Sequence, residues 1–119
     1  MTGVQTCALP ISTLGENTIA EFYQDRGFSV SRDEPSLFPL QPATLDDLKG
    51  GDAGENAATI RAILAGDDRG PRRDAVLLNA AHALFVAART KSAIEGWDLA
   101  ASVIDDGLAN SKLAELTGD

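Results

Sequence analysis

Between Thr18 and Ser31, β-branched and aromatic residues stand on either side of Gln24-Asp25-Arg26-Gly27, a pattern that predicts a β-hairpin. Gly27 suits the positive-φ position that closes a short loop with a bulge, and Ile19, Phe22, Phe28 and Val30 supply apolar side chains. Asp33 to Pro42 holds three prolines in ten residues. That density denies both a helix and a ladder, so the segment is expected to cross the molecule extended, pinned by Leu37, Phe38 and Leu40.

The pattern then turns helical. Thr44 with Asp47 three residues on predicts a capped single turn over Leu45 to Lys49, stopped by Gly50-Gly51. Asp52 with Glu55 repeats the logic, and Ala57, Ile60, Ile63 and Leu64 share one face of a helix predicted over Ala53 to Ala65, ended by Gly66. Pro71 fits the first turn of the next helix, in which Asn79 and His82 are the only polar side chains from Ala75 to Ala88. A helix that is apolar on nearly all sides is expected to be buried. Ser92 with Glu95 marks a further start, and Trp97, Ala100, Ala101, Ile104 and Leu108 outline its buried face, with a break at Gly107 and a short last piece over Ser111 to Leu116.

The elements sum to a hairpin followed by about four mainly buried helical pieces. A two-stranded hairpin is not a stable sheet, and the apolar Ala75 to Ala88 helix needs more partners than this chain offers. The pattern therefore reads as part of a larger α/β domain.

Met1 to Ser12 stands apart: it has no charged residue, holds the only cysteine, Cys7, and has no periodicity that continues beyond it. A signal peptide is excluded by the missing basic start and by Pro10, which interrupts a short apolar stretch. The segment resembles the translation of a sequencing-library adapter, so residues 1–12 are expected to be an artefact with no domain, and 13–119 the domain part.

Composition narrows the classes. With 44% hydrophobic and 24% charged residues, the chain falls in the ordinary globular range. A net charge of −8 argues against broad electrostatic binding to nucleic acid or an anionic membrane. No apolar run reaches the roughly 20 residues that span a bilayer. One cysteine and one histidine make neither an internal disulfide nor a zinc cluster, and a reducing cytoplasm is the expected location.

Each candidate for chemistry also has a structural explanation. His82 could move protons, yet no carboxylate stands at helical spacing from it, and it reads as a packed or hydrogen-bonded structural histidine. Asn79 reads as a buried amide bonded to a neighbouring loop. Arg72-Arg73-Asp74 at a helix start could hold a phosphate, but Asp74 complementing the helix dipole and one arginine pairing with Asp67 or Asp68 explains it as well. Gly50-Gly51-Asp52 resembles a phosphate loop without its further glycines and lysine, and capping accounts for it. The pairs Asp46-Asp47, Asp67-Asp68 and Asp105-Asp106 lack the spaced oxygen set of a metal site.

Two stretches carry a family likeness. Leu48 to Ala87, with its Gly-Gly-Asp and Glu-Asn-Ala helix start and its Gly-Pro-Arg-Arg-Asp-Ala-Val-Leu-Leu-Asn-Ala run, resembles the C-terminal block of anthranilate phosphoribosyltransferases. Ser12 to Ser31, opening Ser-Thr-Leu-Gly-Glu-Asn-Thr, is similar to the strand region after the active-site loop of the same enzymes, and Gly96 to Gly107 matches their last helix. The resemblance implies the C-terminal part of an α/β catalytic domain shared with pyrimidine nucleoside phosphorylases. It also implies a parent that transfers phosphoribose from phosphoribosyl pyrophosphate to anthranilate with Mg2+, as a homodimer formed through a small helical domain. The family's glycine-rich loop, its lysine-histidine-glycine-asparagine segment and its Asp-Glu metal pair all lie upstream of the Ser-Thr-Leu-Gly opening. No catalytic, substrate-binding or metal residue is therefore carried over, no cofactor is expected on this chain, and the chain alone is expected to be inactive. A free-standing helical interaction module, and a piece of a related nucleoside phosphorylase, stay open as alternatives.

Overall fold

The computed structural model describes residues 5–6 and 10–118. Three antiparallel strands come first, β1 (Gln5–Thr6), β2 (Asn17–Tyr23) and β3 (Gly27–Asp33), in the order β1-β2-β3. The β2–β3 pair is the expected hairpin. Gly27 takes φ 76° at the turn, a conformation an L side chain resists. The register sets Ile19 opposite Ser31, Ala20 opposite Val30 and Phe22 opposite Phe28. Because side chains alternate between faces, Ala20, Phe22, Phe28 and Val30 share the face opposite to Ile19. Only Ile19 of the four expected apolar side chains is buried; Phe22, Val30 and Phe28 are 49%, 58% and 68% exposed. The hairpin presents its more apolar face to solvent.

The proline-rich crossing segment contains one 3-10 turn, Pro35–Leu37, started by the proline. Phe38 is buried and Leu40 half-buried, whereas Leu37 is 66% exposed and pins nothing.

Five helices follow: α1 (Leu45–Leu48), α2 (Ala53–Ala65), α3 (Pro71–Val86), α4 (Ala93–Asp105) and α5 (Leu108–Thr117). Their ends follow local chemistry. The Asp52 carboxylate accepts from the Glu55 backbone N–H and Glu55 accepts from that of Asp52, both at 2.9 Å, which closes a reciprocal cap on α2. Gly66 ends α2 at φ 84°, and Gly107 at φ 76° separates α4 from α5. At α4 only half of the expected box forms: Ser92 Oγ accepts from Glu95 N–H, but the Glu95 carboxylate turns to the Lys91 N–H. The last helix starts three residues earlier than expected, because Gly107 both breaks α4 and opens α5.

Helices α3 and α4 form the centre. Ile11, Phe38, Ile63, Leu77, Leu78, Ala81, Trp97, Ala100 and Ile104 make one apolar cluster. Leu78 is fully buried, a contribution of about 1.5–3 kcal/mol. Gly96 sets the distance between the two helices, since a Cβ there would stand 2.4 Å from the Ala81 carbonyl oxygen. The apolar α3 is nonetheless not enclosed on all sides: Val76 is 38% exposed, and burial follows the Leu77, Leu78, Ala81 and His82 side. Neither α1 nor α5 contains a buried residue.

Candidate functional site

The polar groups of α3 are the chemistry-bearing residues nearest the core, and each is held by a partner far away in the chain. Asn79 faces Ile11: its Oδ1 accepts from the Ile11 N–H at 2.7 Å, and its Nδ2 donates to the Ile11 carbonyl at 2.9 Å and to the Ala75 carbonyl at 2.9 Å. The amide thus satisfies both backbone groups of a residue that sits in the core. Ser12 next to it is fastened to Asn17, whose Oδ1 accepts from the Ser12 N–H and whose Nδ2 donates to the Ser12 carbonyl. Cys7 lies outside the described residues.

His82 is buried at 5% exposure beneath the hairpin. Its Nδ1 is 2.9 Å from the Leu78 carbonyl and its Nε2 is 2.9 Å from Asp33 Oδ2, while the Phe38 ring stands 5.7 Å from it and also 5.7 Å from the Trp97 ring. The carboxylate that sequence spacing does not supply comes from the end of β3, 49 residues away.

The start of α3 is equally occupied. Arg73, 6% exposed, donates from Nη1 to Asp105 Oδ1 at 3.0 Å, and Arg69 Nη2 reaches the same oxygen at 3.2 Å. The arginine partner is therefore the carboxylate at the end of α4 rather than Asp67 or Asp68, because α3 and α4 pack side by side. The Arg73 hydrogen bond, helped by the charges of Arg73 and Arg69, holds the Asp105 carboxyl below its ordinary value. Asp74 accepts from the Gln41 N–H at 2.8 Å, and Arg72 donates to the Lys49 carbonyl at 2.9 Å. None of the three is left to take a phosphate unaided.

The other sequence candidates are placed apart. Gly51 is bracketed by Asn56, which accepts from the Gly51 N–H and donates to its carbonyl, so Gly50-Gly51-Asp52 builds the start of α2. Asp47 accepts from the Thr44 N–H at 2.7 Å, which lowers its pKa; Asp46 pairs with Lys49 at 2.8 Å. Among the described residues no three His, Cys, Asp or Glu side chains gather to hold a metal ion. No described helix is long and apolar enough to cross a membrane. A groove of about 570 Å³ runs between α2 and α3, walled by Ile60, Ile63 and Val76 with Arg72 and Gly50-Gly51 at one end.

Residues 8–110 match the model of a glycosyl transferase family, a/b domain. The chain belongs to this family. Among family relatives, "Anthranilate phosphoribosyltransferase" of Geobacter sp. (strain M21) is 44% identical over 106 residues, covering 89% of this chain and 30% of the relative. The protein of the same name from Dehalococcoides mccartyi (strain ATCC BAA-2266 / KCTC 15142 / 195) is 52% identical over 82 residues, 69% of this chain and 24% of its own length. The chain thus spans less than a third of these relatives. The crystal structure of anthranilate phosphoribosyltransferase from Thermus thermophilus superimposes with a TM-score of 0.77 at 34% identity, over 96% of this chain and 34% of that one. The α/β family assignment and the likeness read from Leu48 to Ala87 agree with these matches. The family match also takes in Ile11 and Ser12, and the packing takes in Ile11.

Proposed function

We propose that this chain is the C-terminal part of an anthranilate phosphoribosyltransferase, and that the parent transfers phosphoribose from phosphoribosyl pyrophosphate to the amine of anthranilate in tryptophan biosynthesis. The observation that carries this reading is the 44% identity to a protein of that name over 89% of the chain. In the reaction the ribose C1–O bond to pyrophosphate breaks, a C1–N bond forms and the amine gives up a proton. Magnesium, when bound, neutralises the leaving pyrophosphate. The described residues offer magnesium no ligand set, and we assign no catalytic, substrate or metal residue to this chain. Its part is mechanical: α3 and α4 back the hairpin and hold the Ile11–Ser12 segment in place through Asn79. We assign the parent's dimer contacts to the small helical domain, and its location to the cytoplasm. Residues 1–12 are read as adapter-derived, with Ile11 filling an apolar slot that any isoleucine fills.

The exposed Phe22, Phe28 and Val30 and the apolar α2–α3 groove support a part of a larger domain rather than a free-standing helical module. Purified chain given magnesium, phosphoribosyl pyrophosphate and anthranilate is expected to form no phosphoribosylanthranilate; measurable turnover contradicts the assignment of the site to the rest of the parent. A single sharp unfolding transition would favour the module, whereas a severed part of a domain melts broadly.

A further inference from the structure

Strand β3 is an open edge. Among the described residues the order β1-β2-β3 places no strand on its outer side, and its five central residues, Phe28 to Arg32, are all exposed. Alternate residues of such a strand turn their backbone N–H and C=O groups outward, a row that pairs with any second extended chain unless a proline, a bulge or charges blunt it. β3 contains no proline, and its register with β2 runs unbroken from Gly27 to Asp33. We propose that β3 pairs edge to edge and antiparallel with the β3 of a second copy of this chain, joining the two sheets into one, with Arg26 of each copy beside Glu34 of the other.

The charges around β3 select this partner and this register. The strand opens at the Gly27 turn, its extended backbone continues through Glu34 (φ −92°, ψ 126°), and Pro35 then lacks the N–H to carry a ladder further. The stretch from Arg26 to Glu34 therefore has its midpoint at Val30. A twofold axis at that midpoint sets Val30 against Val30 and Phe28 against Arg32, and brings Arg26 beside Glu34 twice, because residue i meets j and j meets i. A shift of two residues one way sets Arg26 against Arg32, and the other way sets Phe28 against Glu34. A slip of one residue joins the apolar face of one copy to the serine face of the other. Both end charges stand in solvent with only loose contacts printed on them by the fold: Arg26 lies 3.8 Å from Asp25 and 4.1 Å from the Tyr23 ring, and Glu34 accepts from Ser36 Oγ at 3.3 Å. Each copy carries a net charge of −8, so favourable charges are needed at the contact itself. A single strand pair makes a small interface of the weak, reversible class. The contact is separate from the parent's dimer contacts assigned above to the small helical domain, and does not depend on that reading.

Sedimentation velocity of the full chain from about 10 μM to about 1 mM, the range of a weak interface, is expected to show a reversible monomer–dimer equilibrium. Arg26→Glu alone creates two acidic pairs and Glu34→Arg alone two basic ones, so each variant is expected to associate at least about tenfold more weakly than the wild type. Mixed one to one, the two variants complement each other at both ends, and association is expected to return to about the wild-type strength. A wild-type chain that stays monomeric throughout, single variants that associate as strongly as the wild type, or a mixture no stronger than either variant alone would each overturn the proposal. If a variant does not fold, backbone amide shifts of the wild type decide: those of Phe28 to Arg32 are expected to move with concentration while those of α5 stay, and any other pattern overturns the pairing.

Discussion

At the scale of single residues, the polar groups of α3 are intelligible only through partners that sequence spacing does not reveal. Asn79 bonds Ile11 from 68 residues away, and His82 meets Asp33 across 49. That each would be satisfied structurally was legible from its apolar neighbours, because a buried polar group without a partner is costly; which atom satisfies it depends on how the chain closes. Asn79→Ala leaves the Ile11 N–H and carbonyl unpaired. It is expected to cost about 1–3 kcal/mol, seen as faster amide exchange at Ile11; unchanged exchange would show that water replaces the amide. The Arg73–Asp105 pair makes a prediction of opposite kind. Its carboxyl is lowered when folded, so the pair stabilises above the ordinary carboxylate value and is lost as the pH falls through the lowered one. Arg73→Met is expected to move the Asp105 titration, followed by carboxyl 13C shifts, upward toward the ordinary value, with Arg69 still holding it partly down. A titration that does not move would remove Arg73 as the cause.

At the scale of elements, local chemistry carried most of the reading. The reciprocal Asp52–Glu55 cap and Gly66 bound α2 at the residues the sequence indicates, and Gly107 breaks the last helices where expected. What failed was burial. A helix with apolar residues on nearly every side, α3, was expected to be enclosed, but its Val76 faces an open groove together with Ile60 of α2, and the hairpin exposes Phe22 and Phe28. Apolar pattern reports what an element can bury, and the partner must come from elsewhere. The third strand was not legible, because β1 lies in the segment whose composition set it apart. The α3–α4 contact rests on Gly96, where a methyl group would meet the Ala81 carbonyl. Gly96→Ala is expected to push the helices apart at a cost of about 1–3 kcal/mol. Trp97, the only tryptophan and buried beside it, would report this as red-shifted emission; an unshifted spectrum with unchanged stability would mean that the helices slide without loss.

At the scale of the whole molecule, the likeness of Leu48 to Ala87 to one enzyme family was legible from a long run of matching residues, whereas an active site was not. The site candidates that the sequence raised are engaged in caps, ion pairs and one half-buried amide, and on the proposed reading the groups that perform the chemistry belong to the larger part of the relatives that this chain does not span. On the proposed reading the chain is a supporting wall that a complete enzyme could exchange for its own. The direct measurement is a graft: residues Ile11–Asp119 replace the matching C-terminal segment of the Geobacter relative, and phosphoribosylanthranilate formation is followed with magnesium, phosphoribosyl pyrophosphate and anthranilate. Turnover within about tenfold of the intact relative is predicted, since no catalytic group is exchanged. A folded graft with no turnover would contradict the assignment of a purely supporting role.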